Sequence, residues 1–253
     1  MSEENMSRFK RHTRQSGFSL IELMIVVLIL SIVLAVVVDG ASQLQRRNVM
    51  ETSKVDLTQE SRQFVDQIMR DIHQIGYPNT RMAISAQATA NNASLAVMGL
   101  TGPVPATNTP LTIQFEGDLD GSGTVQEVFV QLVPGPGNQC PCTLQRGTLT
   151  KAQYLAAPGT APAYYTELNN VVNSGNTYPI AGNDPSGNAY DVLYAAYKTA
   201  PIFTLYDVTG TATTNPANVR TIAIAVNVVS STPDQQSTMV PIVSMSSIAR
   251  LNN

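Results

Sequence analysis

Tryptophan is absent from the 253 residues, histidine and cysteine occur twice each, and charged side chains make up only 13%. Each scarcity removes a class of protein. Two cysteines, Cys140 and Cys142, cannot build a disulfide framework or a four-ligand zinc site. A charge-poor chain rich in Ala, Val, Thr, Asn, Gly and Pro suits an exported β-rich domain better than a cytosolic helical one. No nucleophile motif, phosphate loop, metal-ligand cluster or paired acid constellation stands out, which points away from an enzyme. Proline is missing from Phe18 through Tyr77, so nothing in that stretch obliges a helix to break.

What is present is concentrated at the N-terminus. Phe18–Val38 reads FSLIELMIVVLILSIVLAVVV, with Glu22 its one charge. As a helix this run is about 31 Å long, matching a bilayer core of about 30 Å. Arg8, Lys10, Arg11 and Arg14 precede it, so the N-terminus is expected to stay in the cytoplasm while the rest is exported. An ordinary secretory signal has a shorter apolar run with a cleavage site behind it. A plain signal anchor fits the length. It has no use for Glu22, whose burial costs several kcal/mol without a partner.

Ser16–Met24, SGFSLIELM, resembles the processing and methylation site of type IV prepilins and type II secretion pseudopilins. The resemblance implies cleavage after Gly17, N-methylation of Phe18, and pairing of Glu22, the fifth mature residue, with the N-terminal amine of a neighbouring subunit. Such a pair inside an apolar helix bundle adds little net stability but specifies register. Removing four bases and two acids with the leader leaves 11 basic and 16 acidic residues, a balance that argues against a nucleic-acid surface.

Beyond Val38 the chain turns polar but keeps a helical period. Leu57, Ser61, Phe64, Val65, Ile68, Ile72 and Ile75 recur at steps of three and four and mark one face. Arg62, Asp66, Arg70 and Asp71 are placed mostly on the other side, with Asp66 and Arg70 as an i,i+4 pair. His73 on this helix reads as an ordinary, partly exposed side chain. Gly76-Tyr77-Pro78 supplies the stop. Many pilins have a proline near the twenty-second mature position. Asp39 stands there here, so no kink is inferred. After residue 79 the period changes to β-type runs: Ser94–Met98, Leu111–Phe115, Val125–Val133, Thr143–Leu149, Asp191–Tyr197, Ile202–Val208, Arg220–Val229 and Ile242–Leu251. Pro158–Asn188 reads as a long surface loop.

The expected fold is therefore α+β, a pilin-like lollipop with one long N-terminal helix and a β-rich head. Its parts are a cleaved leader (1–17), a transmembrane or filament-core half-helix (18–38), an amphipathic half-helix (39–76) and the head (77–253). Three further stretches, Glu60–Tyr77, Phe115–Arg146 and the C-terminal SSIARLNN, are similar to minor pilins of the W type, which resemble J-type pseudopilins. The resemblance implies a minor pilin that primes or caps a type IV pilus, or alternatively a type II secretion pseudopilin or a filament-tip adhesin. It implies major and minor pilins, the prepilin peptidase, the inner-membrane assembly platform and, before assembly, membrane lipid as partners. The expected location is the inner membrane as a single-pass protein, head in the periplasm, then the cell surface.

Two loop features remain. Asp118, Asp120 and Ser122 occupy positions one, three and five of a calcium-loop pattern, Gly123 takes its turn position, and Thr124 can offer a carbonyl. Position twelve is Phe129 rather than the usual Glu, and Glu127 comes too early, so a hairpin turn without metal is the competing reading. Cys140-Pro141-Cys142 admits a disulfide in an oxidising compartment, two thiols, or pairing with another chain.

The Glu22 role has a direct test. Glu22→Ala should be cleaved after Gly17 at near-normal level yet be depleted at least tenfold (about 1.4 kcal/mol in assembly) from sheared filaments. Incorporation equal to the parent chain would remove the role.

Overall fold

The computed structural model describes residues 19–77, 109–230 and 240–251. Gly17, Phe18 and the expected strand Ser94–Met98 lie outside them. One helix, α1 (Leu20–His73), is followed by seven strands and three short helices: β1 (Ile113–Gly117), β2 (Gln126–Gly135), β3 (Gln139–Thr150), α2 (Lys151–Ala156), β4 (Tyr164–Val171), α3 (Tyr190–Leu193), α4 (Ala195–Thr199), β5 (Phe203–Tyr206), β6 (Thr221–Val229) and β7 (Ile242–Arg250). The architecture is α+β, as the two periodicities require. By contacts the chain forms two compact units, divided between Asn48 and Val49. The unit that holds the sheet thus begins inside α1.

In the first unit the helix is rich in Val and Ile, weak helix formers in water. They adopt it where the surroundings cannot satisfy backbone groups, so that every N–H and C=O must be paired within the segment. In the second unit helicity comes from an apolar stripe. Leu57, Ser61, Phe64, Val65, Ile68, Ile72 and Ile75 are all buried, and Ile72 has no exposed surface. Full burial of each large member contributes about 1.5–3 kcal/mol. Arg62, Asp66, Arg70 and His73 stay exposed.

Two expectations about charges on this helix are corrected. Asp71 is buried at 3% exposure, because it follows Phe64 and Ile68 on the stripe at helical spacing. Its carboxylate accepts from Arg146 Nε on β3 at 2.7 Å and from Gln67 Nε2 at 2.9 Å. Arg70 does not pair with Asp66 but donates to Gln67 Oε1 at 2.7 Å, which completes the same network.

The sheet is antiparallel throughout, in the order β1-β2-β3-β4-β6-β5, with β7 also paired to β6. Ile113, Phe115, Val128, Val130, Leu132 and Leu144 share one core with the helix stripe. Close approach is needed where the helix ends. A Cβ on Gly117 would lie 2.7 Å from the Gln74 carbonyl oxygen, so only glycine fits there. Backbone bonds from Gly76 N–H to Glu116 O (3.1 Å) and from Asp118 N–H to Tyr77 O (2.9 Å) stitch that end to β1.

The two halves of the sheet meet at a weak ladder. β4 and β6 share one register pair, Val171 with Val228. Fully buried Asn173 extends the junction: its carbonyl accepts Asn227 N–H, and its amide donates to Ala200 O and Ala225 O. A side-chain amide here does the work of a missing peptide.

Two loop-and-strand readings also change. Asp191–Tyr197 is not a strand but falls within α3 and α4. Tyr190 and Tyr194, one helical turn apart, bring their rings to 5.5 Å, and Lys198 Nζ bonds Asp191 Oδ1 at 2.7 Å. Tyrosine and valine carry β-propensity, but spacing and local bonds decide otherwise. Pro158–Asn188 is not loop throughout, since it contains β4. Register shifts between β3 and β4, with Asn170 at φ 57°, erase the alternation that would have marked that strand.

Burial raises the Asp71 carboxyl above its usual range even though Arg146, Gln67 and Arg70 pull it down. The pair therefore places the helix on the sheet more than it stabilises the fold. Asp71→Ala should cost roughly 3–5 kcal/mol in chemical denaturation of the detergent-solubilised chain. The apolar double variant Asp71→Leu/Arg146→Met should recover most of it.

Candidate functional site

Three chemically distinct places can be built from the described residues. The first is the start of α1. Glu22 lies in its first turn, where a carboxylate faces the positive end of the helix dipole, a favourable placement of about 0.3–1 kcal/mol. Leu23 N–H bonds Ser19 O at 3.1 Å, so the helix is closed before Glu22 is passed. Residues 19–41 are exposed without exception, and the side chains include Leu20, Ile21, Leu23, Met24 and an unbroken run from Ile25 to Leu30. No globular domain leaves such a surface to water. The helix is long and apolar enough to cross a membrane. Glu22 is the one acid in the first turn of this exposed apolar segment.

The second place is the turn joining β1 to β2. Asp118 is buried at 4% exposure, whereas Asp120 to Thr124 are exposed. Asp118 Oδ2 accepts Gly123 N–H at 2.8 Å, Asp120 Oδ1 accepts Ser122 N–H at 3.0 Å, and Ser122 Oγ accepts Thr124 N–H at 3.2 Å. Gly121 and Gly123 take φ of 68° and 81°, the left-handed region that favours glycine. The four residues singled out from sequence are thus drawn into one loop. The Ser122 hydroxyl and N–H hold the Asp120 carboxyl below its usual range.

Just beneath the turn lies a buried polar group that sequence reasoning missed. Glu116 and Glu127 stand directly opposite each other in the β1–β2 register, at 3% and 1% exposure. Lys151 Nζ, at the start of α2, bonds Glu116 Oε2 at 2.6 Å, and Gln114 Nε2 donates to Glu127 Oε2 at 3.0 Å. Burial, reinforced by Glu116, raises the Glu127 carboxyl to about 8. Glu127 is then protonated at neutral pH and can share its hydrogen with the neighbouring Glu116 carboxylate. Two like charges cannot share this site, so one is neutralised. The available signal was the hairpin register itself: a turn centred on Asp120–Ser122 sets Glu116 against Glu127.

The third place is the start of β3. Cys140 and Cys142 are joined by a disulfide with S–S 2.01 Å, around a cis Cys140–Pro141 peptide. Beside it is a cavity of about 230 Å³ lined by Pro141, Tyr190, Tyr194, Val229, Ser230 and Val240 among others. The Tyr194 hydroxyl is committed to Val240, accepting its N–H at 2.9 Å. Among the described residues no cluster of three or more His, Cys, Asp or Glu side chains forms a metal-binding group.

Residues 12–38 match the family model of the prokaryotic N-terminal methylation motif, a type IV prepilin-like signature. The match covers Gly17, Phe18 and Glu22 and ends at the last residue of the apolar run. No curated protein and no solved structure matches the chain.

The raised Glu127 carboxyl makes stability depend on pH. With its folded value above the unfolded one, the folded state holds the extra proton between about 4.5 and 8. Stability should therefore fall as pH rises through that window, by at most about 1.4 kcal/mol per pH unit, and level off above it. Denaturation midpoints measured from pH 5 to 9 should show the decline, and Glu127→Gln should flatten it.

Proposed function

We propose that this chain is a minor pilin of the W type: a structural subunit, not an enzyme, that is cleaved after Gly17, methylated on Phe18 and built into a type IV pilus. The observation that carries the reading is the conjunction at the N-terminus. A methylation motif is followed at once by a helix whose apolar side chains from Leu20 to Val38 are all exposed, with Glu22 in the first turn. A subunit of this kind has a use for that surface twice, in the membrane before assembly and against neighbouring helices afterwards. The motif implies assembly with other pilins and processing by a prepilin peptidase.

The same chemistry gives Glu22 its role. Cleavage frees an amine at Phe18, and a neighbouring subunit's carboxylate in an apolar bundle is its natural partner. An error of one helical turn would leave both charges unpaired in a medium where that costs several kcal/mol. The ion pair sets the stagger of subunits, while apolar contact provides the attraction.

Size supports a minor rather than a repeating part. The 253 residues less a 17-residue leader leave 236, and much of the sheet unit is loop. A bulky, irregular head suits a position at the filament tip, where it need not pack against copies of itself in every turn. Assembly at the inner-membrane platform and display on the cell surface follow from the same reading.

Quantitative mass spectrometry of sheared surface filaments tests it. The expected result is an N-terminal peptide beginning at methylated Phe18, at trace level relative to the dominant pilin. The same peptide as the dominant component would make the chain a major pilin. Processed protein confined to the membrane fraction would move it to the type II secretion pseudopilins, and an uncut leader would end the prepilin reading.

A further inference from the structure

The turn between β1 and β2 carries a buried oxygen that its own hydrogen bonds do not explain. Asp120, Ser122, Gly123 and Thr124 each have a local partner that a simple hairpin turn would also provide. Asp118 differs. It is buried, its Oδ2 is occupied by Gly123 N–H, and its Oδ1 has no hydrogen-bond partner. A buried acceptor left unpaired costs about 1–3 kcal/mol, more when charged. The Asp118 carboxyl is also within hydrogen-bonding reach of the Asp120 carboxyl. The inner carboxyl is held by Gly123 N–H, with its second oxygen left over.

We propose that Asp118 Oδ1, Asp120, Ser122 and the Thr124 carbonyl form a calcium site. The hydrogen bonds already present act as the supporting shell. Gly123 N–H fixes one oxygen of Asp118 and leaves the other free, Ser122 N–H orients Asp120, and Thr124 N–H orients Ser122. A cation among these oxygens satisfies the orphan. All donors are hard oxygens, which selects calcium or magnesium over zinc, copper or iron. A short loop offering four oxygens, completed by water, suits calcium. Magnesium demands near-octahedral geometry and gives up its water reluctantly.

The site is weak. Phe129 stands where a full calcium loop has its bidentate carboxylate, and Phe129 is buried at 2% exposure. Glu127 cannot replace it, being committed to Gln114. Two carboxylates without that clamp place the dissociation constant near 10⁻⁴–10⁻³ M, the range of extracellular modules. Asp118 N–H is bonded to Tyr77 O, so binding here also fastens the turn to the end of α1. The inference rests on the loop alone and stands whichever filament the chain enters.

The test is calorimetric titration of the full chain in detergent, first stripped with a chelator, with calcium chloride and separately with magnesium chloride. One saturable calcium site in the range of about 10⁻⁴–10⁻³ M is expected, with magnesium at least tenfold weaker. Asp120→Asn keeps an oxygen for Ser122 N–H and should fold normally, with an unchanged calcium-free melting temperature and a tenfold or greater loss of calcium affinity. Asp118→Asn should abolish binding. No saturable heat up to about 10 mM calcium, magnesium binding as tightly as calcium, or calcium binding unchanged in both variants would each overturn the site.

Discussion

One unbroken helix has to satisfy two different apolar surroundings, and most of the structure follows from that requirement. From Leu57 to Ile75 its apolar groups form a narrow stripe, because only one side meets the sheet. From Leu20 to Val38 they run all the way round, and all of these side chains are exposed among the described residues. A stripe can be paired within the molecule. A full cylinder requires a membrane or other helices. The change from stripe to cylinder along a single element leaves a segment long and apolar enough to cross a membrane.

The sheet unit shows how little of its specificity comes from apolar packing alone. Val, Ile, Leu and Phe side chains fill the core, but such residues tolerate many neighbouring arrangements. Polar groups buried among them do not. Asp71 meets Arg146, Asn173 spans the junction of β4 and β6, and Glu116, Glu127, Lys151 and Gln114 form a closed group under the hairpin. Each costs desolvation and is tolerable only in one alignment of the elements that carry it. Where two acids are forced together, as at Glu116 and Glu127, a proton restores balance.

Legibility in the sequence tracked how local the cause was. The seven residues of the helix stripe were read correctly because their spacing is a property of the helix alone. Six β-runs, including Arg220–Val229 and Ile242–Leu251, overlap observed strands for the corresponding reason. β4 was hidden since its pairing with β3 is irregular and only Leu168 and Val171 along it are buried. The Asp191–Tyr197 segment looked like strand by composition but falls within two short helices fixed by Tyr–Tyr and Asp–Lys contacts. Asp71 was misplaced because a charge reads as exposed until a distant partner, here Arg146, is known.

By itself the sequence carried the N-terminal methylation motif: basic residues, a glycine, an acid in the first turn and a bilayer-length apolar run are all encoded within residues 8–38. It also determined the helix, its buried face and most of the strands, since periodicity is written in neighbouring residues. Only the tertiary structure decided which charges are buried, that Glu116 confronts Glu127, that Cys140 and Cys142 are bonded, and that one oxygen of Asp118 is left without a partner. Those depend on register and on residues up to 75 positions apart, as for Asp71 and Arg146. Chain connectivity allows such pairings but does not dictate them, because they exist only once the strands have chosen their neighbours.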